Sequence, residues 1–499
     1  MLKIPHSYQL FTAASSRKLD ADTINEFGIS GITLMEIAGT RAADFILSEM
    51  EAGSHGLFLC GKGNNAGDAL VVARILAEHD FECTVVFIKG SETLSDDSSV
   101  NLKRLRELGK NVRIHHHLDD FDRSAAFDFI VDGMLGTGLN SDIRSPYDSV
   151  IEWVNETEIP VFAMDIPTGL HADSGKKMGN AVIADFTLAF GSLKQGFFFD
   201  DGYEHCGEVI FCELPFPSKF KNETTFLIDS DWANNHHNTS QRKHKYDGGV
   251  VYIIAGSEGL TGAGVLAAKS AWATGVGAVV LISPNGLLQT YEEHLVQIIK
   301  RGVGTSNDKA FRKDHVDEVI RILNERPGKV LIGPGLGRDE ETLSFTRELL
   351  SRFSGDLVID ADALFALASA PLEKPEDSNW ILTPHPGELT SFIGFDTSSA
   401  QERKRSALQI STSLNVTILS KGLPSMLCTP EGVSYHTGYD TRVFSRAGFG
   451  DVLAGKTVAQ WLITNDPELA GIFSLIDGKE KADSHILASS KPLEPIHLI

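Results

Sequence analysis

The sequence predicts an α/β protein of two successive domains, each a mostly parallel sheet with helices on both faces. Three observations predict it. Strand-length apolar runs alternate with helix-like segments along both halves, as a parallel sheet requires. Both halves open with the same local order of apolar strand, glycine-rich turn and helix. Between them, residues 222–246 read NETTFLIDSDWANNHHNTSQRKHKY, a polar, His- and Asn-rich shift that suits a linker. The expected division is residues 1–228, a linker over 229–245, and residues 246–499.

Taken in order, residues 17–46 carry LMEIAGTRAADFIL at helical spacing and predict one or two amphipathic helices. The first opening is a strand at 56–60, a turn at 61–68 and a helix at 69–77. Strands are expected at 83–88, 129–131, 161–164, 186–190 and 209–212, with helices at 98–108 and 149–155 among them. The second opening is a strand at 250–255, a turn at 256–264 and a helix at 265–274. Further strands are expected at 278–282, 330–332, 357–359, 380–382, 416–419 and 426–428.

Composition bounds the function. At 499 residues the chain exceeds one ordinary core, and 42% apolar with 22% charged residues is globular composition. A net charge of −22 argues against nucleic-acid and anionic-membrane partners, so an anionic substrate must be held by helix N-termini, backbone N–H groups and a few Lys or Arg. The cysteines, Cys60, Cys83, Cys206, Cys212 and Cys428, form no CxxC pair and fit a reducing compartment. The opening MLKIPHSYQL lacks a signal-peptide pattern, and no apolar run is long enough to span a bilayer. A cytoplasmic protein with no membrane partner is expected, as a homo-oligomer.

The most informative string of the first half is LFLCGKGNNAGDALVVAR. Asn64, Asn65 and Asp68 bring amides and a carboxylate to a helix start, where backbone N–H groups also face an anion. The same residues serve equally as helix caps. Asp132 follows FDFIV and precedes GMLGTGLNSD; Asp165 follows VFAM and precedes IPTGL. In an open parallel sheet the carboxyl ends of strands line the ligand crevice, which places both carboxylates there.

These strings, with FTAASSRKLD, GITLMEIAGTRAA and LAFGSLKQG, resemble the NAD(P)H-hydrate epimerases over residues 8–217. The resemblance implies a Rossmann-like, doubly wound three-layer sandwich. It implies contacts to the hydrate from Asn64, Asn65, Ala66, Gly67 and Asp68, from Gly136, Thr137, Gly138, Leu139, Asn140, Ser141 and Asp142, and from Asp165. Asn65, Asp132 and Thr168 would hold K+, an oxygen-only set suited to a hard cation. Ala66 and Ala69 stand where Gly is commoner in that family. Inversion at the hydroxyl-bearing ring carbon needs proton transfer, and Asp165 is the favoured acid/base. Lys194 would supply positive charge nearby, although an exposed lysine is the expected state.

In the second half, SRAGFGDVLAGKTVAQWL places GFGD at the start of an apolar helix, whose free N–H groups and dipole suit an anion. Asp451 stands where it would take a proton from a hydroxyl while phosphate sits in the turn. Gly333, Gly335 and Gly337 form a second flexible turn, VIDADAL brings Asp360 and Asp362 to a strand end, ILTPHPGEL brings His385 and Glu388 into a Pro-bounded loop, and TILSKGLPSML brings Lys421 and Gly422 to another.

With YIIAGSEGLTGAGVLAA, these strings resemble the ADP- or ATP-dependent NAD(P)H-hydrate dehydratases of ribokinase-like fold, over residues 240–465. The resemblance implies hydrate contacts from Ala263, Gly335, His385 and Asp451, and adenine-nucleotide contacts from Lys421, Gly422, Leu423, Pro424, Ser425 and Gly450. His385 is equally readable as a structural histidine. The implied chemistry phosphorylates the ring hydroxyl and eliminates phosphate, with Mg2+ accompanying ADP or ATP. Substrates of the pair would be NADHX and NADPHX. Phe449 stands where a small or hydroxyl residue is usual, YDTRVFSRAG departs from the family pattern, and Phe365 replaces a common Asn.

Other features read blandly: His115, His116 and His117 as a solvated loop, His236 and His237 as linker, Phe197 to Phe199 as packing, and Cys60 as a small core residue. Two alternatives remain open on sequence: a ribokinase-like kinase for a sugar or vitamin precursor, and a nucleotide-binding protein whose dehydratase half has decayed.

Overall fold

The structure, a computed structural model, describes residues 8–109, 111–228, 249–369, 372–393 and 397–499. The chain divides into two compact units, Met1–Phe226 and Leu227–Ile499. The expected linker at 229–245, with His236 and His237, lies outside the described residues.

The first unit begins with helices α1 (Ala13–Asp22) and α2 (Gly31–Glu49), which realise the amphipathic pattern expected there. Its central sheet comprises β1 (His55–Cys60), β2 (Glu82–Phe87), β3 (Val112–His115), β4 (Phe129–Gly133), β5 (Val161–Met164), β6 (Phe186–Phe190) and β7 (Glu208–Cys212). The strands are parallel throughout, in the order β3–β2–β1–β4–β5–β6–β7. Alternate residues serve opposite faces. Phe58 and Cys60 pack with Val85, Phe87 and the α2 and α3 side chains, where α3 is Asn64–Glu78. Leu57 and Leu59 pack with Ile130 and with Val150, Ile151 and Val154 of α5 (Tyr147–Asn155), the helix after α4 (Asp96–Leu108). Both faces are buried, which is why β1 reads as a near-continuous apolar run. The order reverses between β1 and β4, so a crevice opens at their carboxyl ends.

Sequence and structure part at three places here. The expected turn at 61–68 is only Gly61–Gly63, and α3 already starts at Asn64. Small residues at Ala66, Gly67 and Ala69 let that first turn lie close to its neighbours; a Cβ at Gly67 would sit 2.5 Å from the Met35 sulfur. His115 ends strand β3 rather than lying in a loop, because pairing with β2 extends the backbone there. His116 accepts or donates a 2.8 Å bond with Ser91 and stacks on Phe87.

The second unit contains β8 (Val250–Ile254), α6 (Thr261–Ala273), β9 (Ala278–Pro284), β10 (Ile299–Val303), β11 (Gly328–Ile332), β12 (Asp356–Ile359), β13 (Asn379–Leu382), β14 (Thr417–Ser420), β15 (Met426–Cys428), β16 (Ser434–Thr437), α7 (Phe449–Thr464) and α8 (Pro467–Ala488). Its sheet runs β16–β15–β14–β13–β12–β11–β8–β9–β10, parallel from β14 to β10 and antiparallel across β14, β15 and β16. Strand order again reverses beside the first strand, now between β8 and β11. Gly333, at φ +133°, lets the β11 turn pass the Asp360 carbonyl; a Cβ there would lie 1.8 Å from that oxygen. Both units are thus α/β, as expected. Strand β10 escaped the sequence reading because IKRGV mixes charge and glycine at a sheet edge. Beyond Trp461 the chain forms a long helix capped by Asp466 at Glu468 and Leu469.

Candidate active sites

In the first unit a cavity of about 700 Å3 opens at the β1/β4 reversal. The N-terminal residue of α3 follows Gly63, whose position supplies no side-chain cap, so the first N–H groups of the helix face the cavity unfilled. Of the residues expected here, Asn64, Asn65, Asp68, Gly136, Thr137, Gly138, Leu139, Asn140, Ser141 and Asp165 line the cavity. Ala66 and Gly67 do not, because in a helix they turn toward the core and Met35. Asp142 also lies outside the lining, beside Gly179.

Asp165 sits at φ +62°, a left-handed conformation uncommon for a residue with a side chain. Its N–H donates to Leu188 O at 2.9 Å, and its Oδ1 accepts from Phe190 N at 3.1 Å and from the Lys194 ammonium. Lys194 is fully buried, and its ammonium also donates to Ser192 O at 3.0 Å. The expectation of an exposed Lys194 is therefore corrected: the strand-like pair Leu193–Lys194, joined to Leu10–Phe11, carries it inside. Burial pushes Asp68 well above the usual carboxylate range, and the charges of Asp165 and Asp20 add to it.

The residues expected to hold a cation converge on one point. Thr168 donates its N–H to Asp132 Oδ2 and its hydroxyl to Oδ1, both at 2.7 Å. Asn65 Nδ2 donates to Leu135 O at 3.2 Å, and Leu135 N–H donates to Thr168 Oγ1 at 2.9 Å. Asp132 is wholly buried, and burial lifts its carboxyl to about 6 despite the bonds from Thr168 and Met134. No group of three or more His, Cys, Asp or Glu able to hold a metal occurs among the described residues.

Sequence reading missed the cavity wall supplied by Ser16, Arg17 and Asp20 of α1, Met35 of α2 and Asp97 of α4. Helical spacing marked α1 and α2 as amphipathic, but only their docking shows which polar residues turn inward.

The second unit holds a cavity of about 540 Å3 at the start of α7. Gly448, at φ +93°, precedes the helix without a side-chain cap, leaving the N–H groups of Phe449, Gly450 and Asp451 open to a ligand. His385, Lys421, Gly422, Leu423, Ser425, Gly450 and Asp451 line it, as does Asp360. Pro424 does not; its carbonyl accepts from Arg403. Ala263 and Gly335 adjoin each other instead, a Cβ at Gly335 reaching within 3.2 Å of Ala263, and neither lines this cavity.

The charges form a chain. Asp360 Oδ1 accepts from Thr383 Oγ1 at 2.6 Å and from Lys421 Nζ at 2.8 Å. Burial alone would lower Lys421, but Asp360, Glu388 and Asp451 outweigh it, and the ammonium is raised. Burial, then Asp360, pushes Asp451 up to about 7. His385 is held below its usual range by burial and by Lys421. Its Nδ1 accepts the Glu388 backbone N–H at 3.2 Å, while the His385 backbone N–H donates to Glu388 Oε2 at 2.9 Å. That geometry assigns the neutral tautomer with hydrogen on Nε2, which lies 3.4 Å from Glu388 Oε1. Phe449 is buried among Phe444, Val452, Leu493 and Leu498.

Comparison with known proteins agrees with both halves. The family described as "YjeF-related protein N-terminus" matches residues 31–196, and that described as "NAD(P)H-hydrate dehydratase" matches residues 251–485. A bifunctional NAD(P)H-hydrate repair enzyme of Salinibacter ruber is 34% identical over 478 residues, spanning 90% of this chain and 87% of that protein. One from Moorella thermoacetica is 32% identical over 459 residues, spanning 89% and 86%. A crystal structure of ADP/ATP-dependent NAD(P)H-hydrate dehydratase from Bacillus subtilis, co-crystallized with ATP/Mg2+, is similar at 22% identity and TM-score 0.43, covering 52% of this chain and 90% of that one. With its match running through both units and nearly the full length of its relatives, the chain belongs to the family of bifunctional NAD(P)H-hydrate repair enzymes.

Proposed function

We propose that the first unit interconverts the R and S hydrates of NADH and NADPH, and that the second dehydrates the S form to NAD(P)H at the expense of ADP or ATP. The observation that supports it most is the repetition, in one chain of this family, of a strand-end carboxylate beside an unfilled helix N-terminus in each unit's cavity.

In the first cavity Asp165 is the acid/base. Lys194 aims it, and Asp68, whose carboxyl burial raises, lines the same cavity, so two carboxyls share one site. Hydrate contacts come from Asn64, Asn65, Asp68 and the 136–141 loop, with Ala66, Gly67 and Asp142 behind them. Asn65, Asp132 and Thr168 with the Leu135 carbonyl suit K+: the oxygens are hard donors, and a wholly buried carboxyl gains an opposite charge. K+ would supply fixed positive charge under the Gly136 loop.

In the second cavity the open N–H groups at Phe449 and Gly450, with Lys421, hold phosphate oxygens. Asp451 takes the proton of the ring hydroxyl as its oxygen bonds to the transferred phosphorus and the bond to the nucleotide breaks. The ring carbon then releases phosphate, and a proton leaves the neighbouring carbon as the ring double bond returns. His385 contacts the hydrate, and Ala263 and Gly335, which stand outside this cavity's lining, would meet it from the neighbouring turn. Lys421, Gly422, Leu423, Ser425 and Gly450 hold the nucleotide, with Pro424 behind them. Mg2+ would enter with the nucleotide phosphates beside Asp360, offsetting their charge.

The alternatives are not favoured. A lone kinase leaves the first cavity unexplained; the decayed-half reading rests on Phe449 and the altered segment before it, and Phe449 is packed into an apolar cluster and leaves the phosphate turn open. No helix among the described residues is long and apolar enough to cross a membrane; a cytoplasmic homo-oligomer is part of the proposal. The test incubates the S hydrate with ADP or ATP and follows reduced-nicotinamide absorbance and inorganic phosphate together. Equal gains support the reading; a persistent phosphorylated product refutes it in favour of a kinase.

A further inference from the structure

Residues 489–499 lie beyond the segment matched by the dehydratase family, and the structure folds them back onto the start of α7. Apolar, polar and ring contacts fasten them. Pro495 covers Gly448, where an added Cβ would lie 3.0 Å from the Pro495 ring. Leu493 and Leu498 close an apolar cluster with Phe449, Val452 and Ala482. The buried Lys456 ammonium donates to Leu498 O at 3.2 Å and pairs with Asp477 of α8. His485 of α8 stacks on His497, ring centroids 3.9 Å apart, while its Nε2 meets Lys491 O at 3.1 Å. Leu498 thereby becomes part of the cavity wall, together with Gly448, Phe449, Gly450 and Lys456.

We propose that this strap is a positioning element of the second site: through Leu498 on Phe449 and Pro495 on Gly448 it holds the phosphate turn in the conformation that binds nucleotide. Phe449 is the strap's anchor point, which gives the departure from a small residue a purpose. A phenyl ring at the first position of α7 has its side chain on the apolar cluster and its N–H on the cavity, so clamping the ring aims the N–H. A small residue would remove the largest side chain that Leu493 and Leu498 pack against at the helix start. The anchoring is redundant, with Lys456 and the His485–His497 stack tying the strap to α7 and α8 independently of the phenyl ring.

The inference rests on the second cavity being a nucleotide site. Its test is Leu498→Ala in the full chain, with Leu498→Met as the conservative control, measuring nucleotide KM and kcat for dehydration. Epimerisation by the first unit serves as an internal reference on the same protein. Leu498→Ala should raise the nucleotide KM about tenfold while kcat at saturating nucleotide changes by less than about twofold, since a loosened turn costs binding until the ligand reorders it. Leu498→Met should restore KM to within about twofold of the parent. A folded Leu498→Ala with unchanged nucleotide KM, or one losing kcat without a KM change, overturns the proposal. Should Leu498→Ala unfold the second unit, Pro495→Ala is read by the same criteria, as it removes the contact to Gly448 and little core volume. Should the parent protein not turn over hydrate, the functional reading fails; calorimetric titration with ADP then decides the strap separately, about tenfold weaker binding by the variant supporting it and equal binding refuting it.

Discussion

Replacing Asp451 by Asn should separate stability from chemistry in the second unit. Burial, with Asp360 alongside, raises this carboxyl from 3.8 to about 7. In the unfolded chain an Asp titrates near ~3.9. Between those values the folded state holds a proton that the unfolded state has released, so stability falls as pH rises from about 4 and levels off above about 7. At ~1.36 kcal/mol per pH unit, the ionised carboxylate costs the fold about 4 kcal/mol, which solvent in the open cavity reduces to roughly 2–3 kcal/mol. Asn cannot ionise and removes the penalty. The variant should therefore unfold roughly 5–10 °C higher than the parent at about pH 8, and more than half of that gain should vanish by about pH 5. The same variant should lose dehydration about 10²–10⁴-fold, the usual range for a general base. Thermal unfolding at the two pH values, beside turnover of the S hydrate, measures both. A variant less stable than the parent at both pH values, or equally stabilised at both, would refute the reasoning.

Further outcomes follow from the same geometry. Lys194→Met keeps the side-chain volume but strips the half-buried Asp165 carboxylate of its partner, so it should cost about 2–3 kcal/mol, abolish epimerisation and spare dehydration of the S hydrate; retained epimerisation contradicts the role given to Asp165 and Lys194. Because the Asp132 carboxyl sits at about 6 and must ionise to hold a cation, KCl should raise the unfolding temperature of the first unit above that pH and progressively less below it, an effect that Asp132→Asn removes and that a flat salt response would disprove. Gly61→Ala would place a Cβ 1.8 Å from the Met134 carbonyl at the head of the Gly136 loop. It should cost more than ~2 kcal/mol and weaken hydrate binding in the first cavity alone, as seen by calorimetry.

How much of this was legible in the sequence follows from which forces are local. Strands β5, β6 and β15 coincide with apolar runs because both their faces are buried and the pattern is continuous. Asp132 and Asp165 were findable because strand ends mark the crevice of a parallel sheet. Edge strands such as β3 and β10 were not, since one half-wet face breaks the apolar run. Lys194 was misjudged for a related reason: a lysine reads as exposed until the fold brings Asp165 to it. The Asn64–Asp68 stretch resembled a turn because Gly and Asn favour turns, yet unfilled N–H groups and tertiary packing draw it into α3. The wall supplied by α1 and the strap on Phe449 depend on contacts between residues far apart in the chain, which periodicity cannot report.

The most direct test of the account supplies a mixture of both NADH hydrate epimers with excess ADP or ATP and follows recovered NADH to completion. The parent protein should convert both epimers. Asp165→Asn should stop when the S epimer is exhausted, and Asp451→Asn should recover almost no NADH in the time the parent takes to finish, while still interconverting the epimers. Complete recovery by Asp165→Asn, at the parent's rate through both epimers, would contradict the claim that each cavity performs its own half of the repair.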